Sequence, residues 1–325
     1  MDVLEPRTAS QSGSFKSRDL KMAIMGLPEE EYFAPGHRAC AGCGAAIAMR
    51  LLTKAAGKNV ILVESTGCIE VVSTPYPETA WRLPWIHGAF ENAASIASGV
   101  ESALKAKGRK DIKVIGFGGD GGTYDIGILG LSGAFERGHN IAFVCYDNEA
   151  YMNTGIQRSG ATPFGASTTT SPSGKASIGK VQWKKDLVHM LVANGAKYAA
   201  TASIAFPQDA FKKIQTAIKT EGPSFVNLYS PCVPGWKYEP SKTVEVAKLG
   251  VLTGAMPLFE VIEGKHKVTM PRDPEKLKPV EEYLNMQGRF RHLFKPKRDD
   301  KALEEIQKGV KDRLRLLLEY ESKGL

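Results

Sequence analysis

Val114-Ile-Gly-Phe-Gly118, Gly119-Asp-Gly-Gly122, a helix-like segment from Tyr124 to Arg137, Ile141-Ala-Phe-Val-Cys-Tyr146 and Asp147-Asn-Glu-Ala-Tyr-Met-Asn153 follow one another in this chain. They read as a strand, a glycine turn, a helix and a second strand. Asp120 and Asn148 fall at the carboxyl ends of the two strands. In an open α/β sheet, ligands bind beyond that edge. Glycines let a backbone approach a phosphate closely, and the helix that follows offers free N–H groups and a positive dipole end. An aspartate and an asparagine placed there are hard oxygen ligands, suited to Mg²⁺ held between protein and diphosphate. A bare Gly-Asp-Gly turn is mostly structural; its pairing with Asn148 gives it a chemical meaning.

The rest of the composition narrows the class. The chain has 325 residues, enough for one large or two modest domains. A hydrophobic content of 42% and a charged content of 24% are those of an ordinary globular protein. Much of the net charge of +8 sits in the last third, at Lys265, Lys267, Arg272, Arg289, Arg291, Lys295, Lys297 and Arg298. No nucleic-acid motif accompanies it, so a solvated face or a surface for acidic, ferredoxin-like partners is the reading. No apolar stretch reaches the length of a membrane span. Met1 to Leu20 is polar and Ser-rich and lacks the apolar core of a secretory signal. Five cysteines without such a signal imply a reducing, cytoplasmic compartment, where clustered cysteines more often bind metal than form disulfides.

Working outward, residues 1–34 read as an arm with a short amphipathic piece at Leu20–Met25. Residues 35–240 carry the α/β rhythm, and 241–325 read as a helical extension. Cys40-Ala-Gly-Cys43 lies in a loop before a helix from Ala45 to Lys54, and Asn59 to Glu64 is a strand ending in Ser65-Thr-Gly-Cys68. Four readings of this pair compete: a redox dithiol, which lacks its usual aromatic and proline context; zinc, which wants four ligands; an iron–sulfur cluster, which tolerates dispersed cysteines; and small buried hydrophobes. Cys145, inside an apolar strand, reads as core. Residues 69–91 read as loop, with His87 able to serve in acid–base chemistry but more commonly bonded locally. Asn92 to Lys107 reads as a helix. Thr154 to Lys180 has few large apolar residues and reads as a loop folded over a cofactor or against another subunit rather than a linker. Helices follow at Leu187–Asn194 and Phe211–Lys219, and a strand at Ser224–Tyr229. That strand ends near Cys232, on the edge that carries Cys68 and Asp120. Residues 245–261 and 275–288 read as short helices, and Asp300–Lys323 as a long amphipathic one.

These motifs resemble the β subunit of 2-oxoacid:ferredoxin oxidoreductases, most closely those acting on pyruvate. The resemblance rests on Cys40-Ala-Gly-Cys43-Gly, Thr66-Gly-Cys68, Gly119-Asp-Gly-Gly122 with Tyr124-Asp-Ile-Gly127, Asp147 to Asn153, Gln157-Arg-Ser159, Ala161-Thr-Pro163, Gly165-Ala-Ser-Thr-Thr-Thr170 and Cys232. It covers roughly residues 35–290. It implies a doubly wound, mostly parallel α/β sheet of the thiamine-diphosphate-binding type. It implies one [4Fe–4S] cluster on Cys40, Cys43, Cys68 and Cys232, and Mg²⁺ on Asp120, Asn148 and the Ala150 carbonyl. Ala45, Cys68, Gly119, Asp120, Gly121, Gly122, Asn148, Glu149, Ala150, Tyr151, Met152 and Asn153 would line the thiamine diphosphate, with Asn153 nearest the reacting carbon. The implied reaction is coenzyme A-dependent oxidative decarboxylation of a 2-oxoacid, with electrons passing to ferredoxin. The glutamate that activates the cofactor would come from a partner (α, γ or δ-type) subunit, so the isolated chain is expected to be inactive. Other oxoacids (oxalate, 2-oxoglutarate, branched or aromatic) and a non-catalytic electron-transfer role are the alternatives. A nicotinamide-binding reading of Gly116-Phe-Gly-Gly-Asp-Gly121 fits the glycine spacing only superficially.

Overall fold

The computed structural model describes residues 24–325. Its strands, in chain order, are β1 (Val60–Ser65), β2 (Trp85–Gly88), β3 (Lys113–Gly119), β4 (Ile141–Asp147), the two-residue β5 (Ser173–Gly174) and β6 (Ser177–Ile178), β7 (Tyr198–Ser203), β8 (Ser224–Tyr229), β9 (Leu258–Ile262) and β10 (Lys265–Met270). Apart from the β5–β6 hairpin they form one eight-stranded sheet in the order β10-β9-β7-β8-β4-β3-β1-β2. The six strands from β7 to β2 run parallel, while β9 pairs antiparallel with both β7 and β10. The expected mostly parallel α/β sheet is therefore present.

Every residue of the central strand β4 is buried, and successive side chains enter opposite cores, as a sheet covered on both faces requires. Ala142, Val144 and Tyr146 of β4 join a core with the helices α1 (Gly44–Ala56) and α6 (Pro207–Lys219). Ile141, Phe143 and Cys145 face the opposite core, with α3 (Ala93–Ala106), α4 (Ile128–Glu136), α5 (Leu187–Ala193) and the end of α10 (Asp300–Lys323). Cys145 is thus a core residue. A third cluster, around Trp236, Tyr283 and Phe290, ties the final third of the chain to the sheet.

Three expectations need correction. The 241–325 extension is not wholly helical: its first part is α8 (Thr243–Leu252), but β9 and β10 then extend the main sheet. Phe259 and Val261 are buried on either side of the partly exposed Glu260, and Val268, paired with Phe259 across the hairpin, is buried too; so short a strand signal is easily read as helix. Strand β7, Tyr-Ala-Ala-Thr-Ala-Ser, was missed because it is built of small residues, yet all six positions are buried. Residues 69–91 are not loop throughout, since they include most of α2 (Cys68–Ser73) and all of β2.

The arm is only partly described, and most of the piece expected at Leu20–Met25 lies outside the described residues. Its later part packs on α1: Lys54 Nζ donates to Pro28 O at 2.7 Å, and Phe33 is buried against Trp81, with ring centroids 5.0 Å apart. Among the described residues no helix is long and apolar enough to cross a membrane.

Candidate active site

Strands β1, β3, β4 and β8 are parallel neighbours, so their carboxyl ends share one edge. From that edge leave Ser65-Thr-Gly-Cys68, Gly119-Asp-Gly-Gly122, Asp147 to Asn153 and Ser230-Pro-Cys232. The glycine turn does not pass straight into a helix. Gly121–Asp125 forms one turn of wider π-helix before α4 begins at Ile128. Such turns recur at functional sites because they re-aim the backbone.

Asp120 is wholly buried. Its Oδ2 accepts a 2.5 Å hydrogen bond from Ser159 Oγ, and its Oδ1 one of 3.2 Å from the Asn148 N–H. The Asn148 side-chain amide lies 2.9 Å from both Asp120 Oδ1 and the Ala150 carbonyl. With its nitrogen on that side, it donates to both; with its oxygen there, three oxygens face one another. Burial first, and then the charge of Asp147, push the Asp120 carboxyl well above its ordinary range.

The loop beyond Asp147 is held by a buried ionic block. Lys184 Nζ reaches Asp147 at 2.5 Å and Glu149 at 2.9 Å, and Arg289 reaches Glu149 at 2.6 Å. Asn227 donates to Asp147 at 2.8 Å. The Trp236 indole donates to Asn148 O at 2.7 Å, while the Arg289 guanidinium stacks 3.8 Å from the Trp236 ring centre. Two anions thus meet two cations, while among the described residues no cation pairs with Asp120. Burial alone would raise Glu149, but Lys184 and Arg289 outweigh it and hold its carboxyl below the usual value. Glu149 takes a left-handed backbone, φ +68°, which is costly for a residue with a side chain and is held here by its ion pairs. Its carboxylate belongs to this block rather than to the cavity wall.

Two cavities open on the edge. One, of about 100 Å³, is lined by Thr66, Cys68, Gly119, Gly121, Asn148 and Ala150 among others. The second, of about 290 Å³, is lined by Cys40, Cys43, Cys68 and Cys232 together with Ala45. Cys68, Asn148, Met152 and Asn153 line both. Gly44 lets α1 close on the segment before Cys232: its N–H donates to Pro231 O at 3.1 Å, and a Cβ there would meet that oxygen at 2.5 Å, so only glycine fits. Burial, and next repulsion among the thiols, push Cys68 up to about 12. Among the described residues no three His, Cys, Asp or Glu side chains converge as ligands of one ion. The cysteines surround a space rather than a point. A further cavity of about 570 Å³ lies between α10 and the stacked rings of Phe164 and Trp183, with Glu149 and Lys184 in its wall.

The comparisons with known proteins bear on this edge directly. The thiamine pyrophosphate enzyme C-terminal TPP binding domain matches residues 65–228, from the end of β1 to β8. Pyruvate synthase subunit PorB of Methanothermobacter thermautotrophicus is 60% identical over 83% of this chain and 93% of its own length. The chain belongs to this family of thiamine-dependent 2-oxoacid:ferredoxin oxidoreductase subunits. PorB of Methanocaldococcus jannaschii is 54% identical over 91% of this chain and 99% of its own. The ketoisovalerate oxidoreductase subunit VorB of Pyrococcus abyssi is 46% identical over 87% and 91%. A solved 2-oxoglutarate:ferredoxin oxidoreductase from Magnetococcus marinus shares the fold, with TM-score 0.52 at 23% identity over 70% of this chain and 82% of its own.

Within this family member, the residues expected at the site gather on one edge, although Glu149 points its carboxylate away. The Thr154–Lys180 segment is a folded layer, not a linker. It brings Ser159 to Asp120, Thr162 Oγ1 to Glu149 O at 2.7 Å, and buries Lys180 against the carbonyls of Gly160 and Thr162. His87 bonds Thr66 Oγ1 at 2.7 Å. Sequence reading missed Ser159, Lys184, Arg289 and Trp236. Only the polar run around Ser159 carried a signal; Lys184 and Arg289 look like surface charges until the fold buries them.

Proposed function

We propose that this chain is the thiamine-diphosphate- and [4Fe–4S]-binding subunit of a pyruvate:ferredoxin oxidoreductase, working in the cytoplasm with α, γ and δ-type partner subunits. The observation that carries the reading is the pair of adjoining cavities, four cysteines around one and, in the wall of the other, Asn148, whose backbone N–H donates to the buried Asp120 behind it. When bound, thiamine diphosphate supplies the electron sink for decarboxylation and the cluster supplies a one-electron acceptor.

The donor set fits these groups. Asp120 Oδ1, the Asn148 amide oxygen and the Ala150 carbonyl suit Mg²⁺, a hard cation that takes oxygen ligands and shares them with phosphate. Ser159, bonded to the other carboxylate oxygen, fixes the orientation of Asp120. Gly119 to Gly122 would carry the diphosphate on backbone N–H groups, and Asn153 would lie by the reacting carbon. Zinc wants four ligands converging on one ion, whereas a four-iron cage spreads its thiolates over separate irons. The arrangement of Cys40, Cys43, Cys68 and Cys232 around a space favours the cage. The small cofactor cavity fits a site completed by a partner, as do exposed Leu129 and Ile126 (83% and 43%) beside the glycine turn.

The test is oxoacid-dependent ferredoxin reduction, with coenzyme A, by the assembled enzyme kept anaerobic. Pyruvate should give the highest kcat/KM against 2-oxoglutarate, 2-ketoisovalerate, an aromatic oxoacid and oxalate. A preference for 2-ketoisovalerate would favour the second reading, for which the VorB relatives speak. Bound iron without turnover on any oxoacid would leave an electron-transfer subunit.

A further inference from the structure

Tyr146 sits on β4 opposite Gly119 of β3, one residue before the ionic block begins. Both of the glycines near its ring leave room for it. A Cβ at Gly119 would lie 3.1 Å from the ring, and one at Gly67 would lie 2.5 Å from the hydroxyl oxygen. Tyr146 is 1% exposed, and its hydroxyl has no hydrogen-bond partner among the described residues. The residue lines the cavity formed by Thr66, Cys68, Gly121, Asn148 and Ala150. Buried tyrosine hydroxyls nearly always find a partner, and one without any at a cavity wall points to a ligand that supplies it. A phenol keeps its proton at neutral pH, so the group is available as an O–H donor.

We propose that Tyr146 is a positioning residue whose hydroxyl donates a hydrogen bond to an acceptor atom of the thiamine diphosphate bound in this cavity. The proposal rests on the cofactor reading above and adds to it a residue that the glycine turn and the Asp120–Asn148 pair do not include. The acceptor is either a diphosphate oxygen or an atom of the thiamine rings.

The test uses Tyr146→Phe in the assembled enzyme, stripped of cofactor and Mg²⁺ by chelation and then titrated calorimetrically with thiamine diphosphate and Mg²⁺. Phenylalanine keeps the ring that fills the space beneath Gly119 and removes only the donor. Affinity should fall about three- to tenfold, the range of one lost hydrogen bond. The melting temperature of the stripped enzyme should stay level or rise, because an unpartnered buried hydroxyl has gone, while the increment that the cofactor adds should shrink. Inorganic pyrophosphate as a second probe locates the acceptor. A parallel loss of its affinity places the acceptor on the diphosphate, and an unchanged affinity places it on the rings. Equal thiamine diphosphate affinity in both proteins would overturn the proposal, leaving water as the partner. So would a lowered melting temperature of the stripped variant, which marks a purely structural role. If the parent enzyme itself bound no thiamine diphosphate, the cofactor reading would fall first and this one with it.

Discussion

Asp120 is a fully buried carboxyl with no cation paired to it among the described residues, while Lys184 and Arg289 are committed to Asp147 and Glu149. Burial and the charge of Asp147 oppose its ionisation, so a neutral amide in its place should relieve the stripped protein and harm the loaded one. Asp120→Asn is expected to raise the melting temperature without Mg²⁺ and to weaken Mg²⁺-dependent cofactor binding roughly tenfold or more, since charge-assisted contacts are the strong ones. Differential scanning with and without Mg²⁺ reads both. Glu64 gives a second prediction at this scale. It is buried on β1, one oxygen accepting from the Trp85 indole at 2.9 Å and the other without a partner among the described residues, and burial raises its carboxyl well above the ordinary value. The folded state keeps a proton that the unfolded chain gives up. Stability should thus fall as pH rises from the ordinary carboxyl range toward the folded value. Glu64→Gln should abolish that part of the slope, so the mutant's advantage in melting temperature grows between pH 5 and pH 8; a constant difference would show that Glu64 is ionised when folded. Asp120, Asn148, Cys68 and Cys232 could be set on one edge from the sequence because each follows a strand, whereas Cys40 and Cys43 stood out only by their spacing before a helix. Tyr146 and Glu64 were not legible, since a strand's inward positions read as core whatever the ligand beyond them.

At the scale of elements, the loop from Asp147 to Asn153 keeps its left-handed turn through charges brought from elsewhere. Arg289 is 140 positions from Glu149, a separation at which no sequence pattern pairs them. Arg289→Met should cost about 3–5 kcal/mol, the expense of leaving a buried anion with too few partners. Adding Glu149→Gln should return much of it, and denaturant midpoints of the single and double variants measure the coupling. The loop reading of Thr154–Lys180 was accessible because its polarity could be satisfied only by water or by a site. The strands β7, β9 and β10 were not: β7 is made of small residues, and β9 with β10 hides its alternation in a short antiparallel hairpin.

For the whole molecule, the βαβ stretch quoted first sits at the middle of the sheet, and the family model spans the strands that carry the edge. The sequence sets the cysteines and the cofactor residues on one edge; that their two cavities share walls depends on β8 lying beside β4 and on Gly44 letting α1 close on Pro231. The isolated chain is expected to bind thiamine diphosphate weakly and to reduce no ferredoxin, with both recovered on adding the partner subunits.

The adjoining cavities are tested most directly by counting iron, acid-labile sulfide, zinc and thiamine diphosphate per copy of this chain in the anaerobically purified assembly, in the parent protein and in Cys68→Ser. Cys68 lines both cavities. The account predicts about one thiamine diphosphate per chain in the parent and a loss of about four iron and four sulfide in the variant, one cluster's worth. Iron unchanged by Cys68→Ser, zinc in its place, or no thiamine diphosphate in the parent would contradict it.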